Sequence, residues 1–189
     1  MLDLRRIFHT RTTSQGELRD LLQMLFANEL LTPSEEVWLV SPWIGDIPIL
    51  DNRMGGFDAL NPEWKGREIR LTEVILQLMS IGTHISIVTI GATDVPTNSY
   101  FIDRMSALAD EAALSKKITI TEIPKPRFDT IGLHYKGILT NRGFLAGSMN
   151  ITNKGIKAND EMIEYDINKE RIAQAKIHFV KKYKQGVLD

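Results

Sequence analysis

The sequence predicts an α/β fold, a three-layer α/β/α sandwich around a mixed central sheet. In the first half of the chain, short β-branched runs alternate with segments of helical periodicity. Later a tight turn signal separates two apolar runs, which calls for an antiparallel hairpin beside the parallel strands. The composition agrees: 189 residues, 43% hydrophobic and 25% charged, suit one globular domain spanning 1–189 with a sizeable core.

Ser14-Gln15-Gly16-Glu17 reads as a capping box, after which Leu18, Leu21, Leu22, Leu25 and Phe26 recur at helical spacing, so a first helix ends near Leu31. Glu36 to Val40 is apolar and β-branched and is closed by Ser41-Pro42, as a buried strand would be. From Gly45 to about Arg67 the chain is rich in Gly, Pro, Asn and Asp and is expected to be a long functional or mobile loop. Thr72 to Ile81 is helical with Gly82 as its cap, and Ile85 to Ile90 is the second strand. A helix starting at Ser99 carries Phe101, Met105, Leu108 and Ala112 on one face, and Ile118 to Ile123 is the third strand. Leu133 to Thr140 is the fourth, Asn141-Arg142-Gly143 turns the chain, and Phe144 to Gly147 returns antiparallel. Met162 to Ile167 completes the set. The last helix, from about Asn168, is apolar through Ile172, Ala175, Phe179 and Tyr183, and solvated on a basic face with Lys176, Lys181, Lys182 and Lys184. The first residues, Met1 to Arg6, read as a polar lead-in, with His9 near a mobile terminus.

Several chemistries are excluded. The chain has no cysteine, which removes disulfides and thiolate metal sites. A formal net charge of -1 supplies no global field for a polyanion, so any such partner must be held by a local patch. No segment approaches the roughly 20 apolar residues of a membrane span, and a soluble, cytoplasmic protein without a membrane partner is expected. The histidines lack metal-ligand spacing, and neither a Gly-rich loop ending in Lys-Ser or Lys-Thr nor a dinucleotide fingerprint occurs. No metal or other cofactor is expected.

The decisive segment runs from His134-Tyr135-Lys136 through Gly147-Ser148-Met149-Asn150 to Asn159-Asp160-Glu161. Two residues apart in extended backbone, His134 and Lys136 would share a face. A histidine can attack phosphorus or protonate a leaving oxygen, and an ammonium beside it offsets charge on the phosphate oxygens. Ser148 and Asn150 add hydrogen-bond donors for the same oxygens. Together these residues read as a metal-free phosphodiesterase site.

His-x-Lys followed by Gly-Ser-x-Asn and Asn-x-Glu at this spacing resembles the phospholipase D superfamily, named HKD for its motif. Trp38 to Trp43 and Gly82 to Thr89 look like that family's first two core strands. The resemblance implies a phospholipase D-like sandwich in which His134 is nucleophile or acid, Lys136, Ser148 and Asn150 hold phosphate oxygens, and Glu161 orients a histidine ring, with Asn159 in support. It also implies that a single-motif chain forms a homodimer, because the chemistry needs two histidines. Asn141 stands where the family usually has Asp, which keeps an acceptor oxygen and loses a charge; a plain turn role with Arg142-Gly143 is the alternative. Lys125, Arg127, Arg142, Lys154 and Lys157 flank the motif as candidate phosphate contacts, and Trp64, in a loop with Asp46, Arg53 and Lys65, is a candidate for base stacking or for a buried anchor.

The functional expectation is an endonuclease of nucleic acid, DNA before RNA, working through a phosphohistidine. A phospholipase or phosphatidyl transferase is the second enzymatic expectation. A non-catalytic nucleic-acid-binding or assembly subunit of a larger restriction or anti-phage defence complex is the third.

Overall fold

A computed structural model of the chain describes residues 3–10, 15–124, 133, 135–157 and 159–185, without the side chains of His9 and Gln15. His134, Lys125, Arg127 and Ser14 therefore lie outside the described residues. The elements are β1 (Leu4–His9), α1 (Gln15–Leu31), β2 (Glu36–Val40), β3 (Pro48–Asp51), β4 (Glu68–Arg70), α2 (Leu71–Ser80), β5 (His84–Ile90), α3 (Pro96–Glu111), β6 (Ile118–Ile123), β7 (Gly137–Leu139), β8 (Phe144–Gly147), α4 (Asn153–Lys157), β9 (Glu161–Asp166) and α5 (Lys169–Phe179). A seven-stranded sheet runs in the order β1-β9-β8-β7-β2-β5-β6. β2, β5 and β6 are parallel, and every other neighbouring pair is antiparallel, so the sheet is mixed as expected.

Strand periodicity explains why both faces are covered. Along β2, Val37 and Leu39 enter one core while Trp38 and Val40 enter the other. The first core joins Leu39, Ile87, Ile138, Leu145 and Ile163 to the apolar faces of α1, α2 and α3. The second joins Trp38, Val40, Val88 and Leu139 to Ile172 and Phe179 of α5, with the Phe179 ring 5.7 Å from that of Trp38. Helices on both faces of one sheet make three layers.

Four local expectations give way. The polar lead-in is in fact β1, paired with β9 from Leu4↔Asp166 to His9↔Glu161. Its charge is that of an edge strand: Arg6 pairs with Glu164 across the ladder and Arg5 with Glu17 at 2.5 Å, while Ile7 is buried opposite Ile163. The helix predicted from Ser99 starts at Pro96, because a proline at the first helical position lacks only an N–H that would have no partner there. The fourth strand does not reach back to Leu133. β7 begins at Gly137, opposite Val40, and its neighbour β2 stops at Ser41-Pro42, where proline has no N–H to extend a ladder.

The fourth correction concerns 45–67. Rather than an open loop, it is fastened by β3 pairing with β4 in a separate two-stranded sheet. Fully buried Asn52 donates to the Trp64 carbonyl at 2.8 Å and to Asp58 at 2.9 Å, and accepts from the Phe57 N–H at 2.6 Å. Trp64 itself is only 2% exposed within the main core, so it anchors this segment and has no face open to a base. Trp64→Ala is expected to lower stability by about 3–5 kcal/mol, read as a fall in the denaturant midpoint.

Candidate active site

The described motif residues, Lys136, Ser148, Asn150, Asn159 and Glu161, lie where one end of the sheet gives way to loops. The register aligns Val40, Gly137 and Ala146 across β2, β7 and β8, so Ser41 and Lys136 leave the sheet level with Gly147, the last residue of β8, with Glu161 at the start of β9 beside them. The Gly147 N–H still donates to the Lys136 carbonyl at 3.3 Å, the last tie of the hairpin at this end. Gly147 has φ of 155°, and a Cβ there would collide with the Met162 carbonyl; only glycine lets β8 turn off into the Ser148 segment.

Ser148 and β9 are fastened to one another. The Ser148 N–H donates to the Met162 carbonyl at 3.1 Å, and its hydroxyl accepts from the Met162 N–H at 3.1 Å while donating to the Glu161 carboxylate. Asn159 Nδ2 donates to the other oxygen of Glu161 at 3.1 Å. Glu161 is 8% exposed, so a buried carboxylate is compensated by two hydrogen bonds, and each oxygen keeps a second lone pair. Asn150 is buried to the same degree, and its Oδ1 has no hydrogen-bond partner among the described residues. A buried acceptor without a donor costs on the order of 1–3 kcal/mol, and such a group in a concave site is suited to meeting a ligand.

Position 150 is set by residues the motif does not contain. Ser41 Oγ accepts from the Ile151 N–H at 3.0 Å and donates to the Trp43 carbonyl at 2.8 Å. Gly45 N–H then donates to the Ile151 carbonyl at 2.9 Å. Fully buried Asn98, in the first turn of α3, holds this loop from the other side: Oδ1 accepts from the Ile44 N–H at 2.9 Å, and Nδ2 reaches the Pro42 and Ile90 carbonyls and Thr89 Oγ1, each at 2.8 Å. Sequence reading passed over Ser41 and Asn98. The signal for Ser41 was a strand closed by Ser-Pro; Asn98 gave none, because it does not cap α3 and its partners lie on other segments.

The remaining candidates separate. Lys154 and Lys157 lie on α4, directly after the Asn150 segment, and Lys154 lines a cavity of about 690 Å³ together with Asn150, Asn159 and Trp43. Asn141 and Arg142 do not reach this place. They occupy the turn at the opposite end of the β7–β8 hairpin, about 16 Å away by strand rise. There the Asn141 N–H donates to Ser34 Oγ at 3.0 Å, and Arg142 pairs with buried Glu29 at 2.8 Å. Asn141 is thus the turn residue of the plainer alternative, and Arg142 is committed to the base of α1. In the first turn of α2, burial alone would raise the pKa of Glu73, but hydrogen bonds from Arg67 and the Arg70 N–H, with the Arg67 and Arg104 charges, hold it below the usual value.

No family model and no curated protein sequence matches the chain. Solved structures do. NucT from Helicobacter pylori is similar at a TM-score of 0.54 and 12% identity, over 94% of each chain. Nuc from Salmonella typhimurium, a phospholipase D family member, is similar at 0.59 and 12%, over 96% of this chain and 93% of that one. A phosphatidylserine synthase from Haemophilus influenzae is similar at 0.57 and 12%, over 95% of this chain and 38% of that one. The chain has the phospholipase D superfamily fold. No helix among the described residues is long and apolar enough to cross a membrane.

Because Asn98 satisfies several buried backbone groups at once, Asn98→Ala is expected to destabilise the chain by roughly 2–5 kcal/mol. Hydrogen exchange should show the Ile44 amide losing protection well before those of β5.

Proposed function

We propose that this chain, with its phospholipase D fold, is a phosphodiesterase that cleaves nucleic acid endonucleolytically without a metal. The observation that carries the reading is the convergence of Lys136, Ser148, buried Asn150 and buried Glu161 at one end of the sheet, beside a cavity large enough for a substrate. In the proposed reaction, a ring nitrogen of His134 attacks phosphorus as the bond to the leaving oxygen breaks, and the partner subunit's His134 protonates that oxygen. Water then displaces the histidine and completes hydrolysis. Lys136 offsets the charge gathering on the phosphoryl oxygens, and Asn150 donates a hydrogen bond to them through Nδ2. Ser148, whose hydroxyl hydrogen is given to Glu161, holds that carboxylate in place rather than the phosphate. Glu161, already fixed by Ser148 and Asn159, has lone pairs left to orient an imidazole and favour its protonated form.

One chain supplies one such histidine, so a two-fold dimer is part of the proposal. Lys154 and Lys157 on α4 are the proposed contacts to flanking phosphates, along with Lys125 and Arg127 on the approach to His134. The substrate choice follows from these local cations, since the net charge of -1 provides none.

Plasmid, single-stranded DNA and RNA, each incubated in excess EDTA, should be cleaved, whereas phosphatidylcholine vesicles should not. His134→Ala should lower turnover more than about a thousandfold, and acid-labile phosphate should be trapped on His134 of the active chain. Cleavage that disappears on adding EDTA would contradict the mechanism. Vesicle hydrolysis without nucleic-acid cleavage would replace the substrate.

A further inference from the structure

The 690 Å³ cavity beside Asn150 is larger than a phosphate needs and falls within the roughly 300–1,000 Å³ typical of small-ligand sites. Two aromatic rings line it: Trp43, 48% exposed, and Tyr100, 63% exposed. Neither ring stacks on another aromatic side chain among the described residues. Both stand on fixed backbone. Trp43 lies between the Ser41 and Asn98 ties, at 2.8 and 2.9 Å, and Tyr100 follows Asn98 on α3.

The charged lining is equally specific. Asp46, whose side chain is 5% exposed, sits between Arg70 Nε at 3.4 Å and Arg104 Nε at 3.5 Å. Its other oxygen accepts from the Thr72 N–H and hydroxyl, both at 3.1 Å. Asp46 and Glu73 together face three guanidinium groups, Arg67, Arg70 and Arg104, which leaves surplus positive charge, and Lys154 adds to it. The Nη groups of Arg70 and Arg104 make no hydrogen bond among the described residues, so two planar forks remain for a ligand. Buried Asn150 contributes an acceptor that meets no donor among the described residues.

Flat apolar rings, guanidinium forks and an unpaired acceptor in one hollow match the parts of a nucleotide. A free phosphate would leave the rings bare. A duplex keeps its base faces stacked inside, where Trp43 and Tyr100 have no access to them. We infer that this cavity is a nucleotide subsite, which stacks an unpaired base of single-stranded nucleic acid on Trp43 and Tyr100 and holds the adjoining phosphate on Arg70 and Arg104. The inference rests on the proposed cleavage of nucleic acid for what occupies the neighbouring phosphate pocket.

Tryptophan emission gives a direct readout, because of the chain's three tryptophans Trp38 and Trp64 are each 2% exposed and Trp43 is the accessible one. The full chain carrying His134→Ala, titrated with a short single-stranded oligonucleotide, should show quenched and blue-shifted Trp43 emission. An abasic strand of equal length should not produce it. By fluorescence anisotropy, Trp43→Ala and Tyr100→Ala should each weaken binding of the intact strand about tenfold, and Arg104→Gln should reduce the slope of log affinity against log salt by about one. Equal affinity for abasic and intact strands, with unchanged emission, would overturn the subsite. So would a response to phosphatidylserine vesicles but not to oligonucleotides. Binding is read here without turnover, so a chain that cleaves yet shows no base-dependent quenching sinks the subsite alone, and a chain that stacks bases yet never cleaves sinks only the phosphodiesterase reading.

Discussion

One buried amide holds this end of the molecule together. Asn98 has no exposure, and its side chain reaches four groups on two different segments, the loop after β2 and the end of β5, from a third, α3. Those loop groups would otherwise be buried polar atoms without partners, each costly in a low-dielectric core. Satisfying them fixes Pro42 to Ile44, which in turn fixes Ser41, whose hydroxyl holds the Ile151 N–H beside Asn150. The proposed phosphate pocket thus depends on a residue that is not among its proposed ligand contacts. Positioning by a hydrogen-bonded support rather than by the motif itself is a general requirement of sites that must be ordered before their ligand arrives.

The same arrangement places two kinds of recognition side by side. The ends of β8 and β9 provide polar groups at the surface, where exposed Ser148 and Asn159 hold the buried carboxylate of Glu161. Across the Ser41 loop, the cavity offers aromatic surface and cations drawn from α3 and from the segment fastened by β3 and β4. Asp46 has a structural share in this, since its carboxylate keeps two arginines within 3.5 Å of one atom and ties them to the start of α2. Charge and shape are therefore prepared by the scaffold, and the proposed chemistry at His134 would draw on both.

What the sequence disclosed follows from how local each signal is. β2 was legible because Trp38 and Val40 alternate with Val37 and Leu39 over five residues closed by a proline. The Gly147 to Asn150 turn was legible because glycine, serine and asparagine each have a local reason to be there. β1 was not, since its partner lies far along the chain: Arg6 and Glu164 are 158 positions apart, and nothing near Arg6 declares the pairing. Arg142 looked like a phosphate ligand for the same reason, because Glu29, 113 positions away, is invisible to local reading. Trp43, Tyr100, Arg70 and Arg104 come from three separate segments, and only the fold brings them to one cavity. For Trp64 the buried-anchor reading holds and the base-stacking one falls, a choice that a loop-like composition could not make.

The central claim is that each chain carries half of a two-histidine site. Mixing tests it most directly: wild-type chains are allowed to exchange subunits with an equal amount of His134→Ala chains before activity is measured. With a shared site, mixed dimers are inactive, so activity per wild-type chain should fall to about half and continue falling as the inactive chain is added in excess. Activity per wild-type chain that stays constant at every ratio, after exchange has been verified, would mean that one chain is sufficient and would contradict the account.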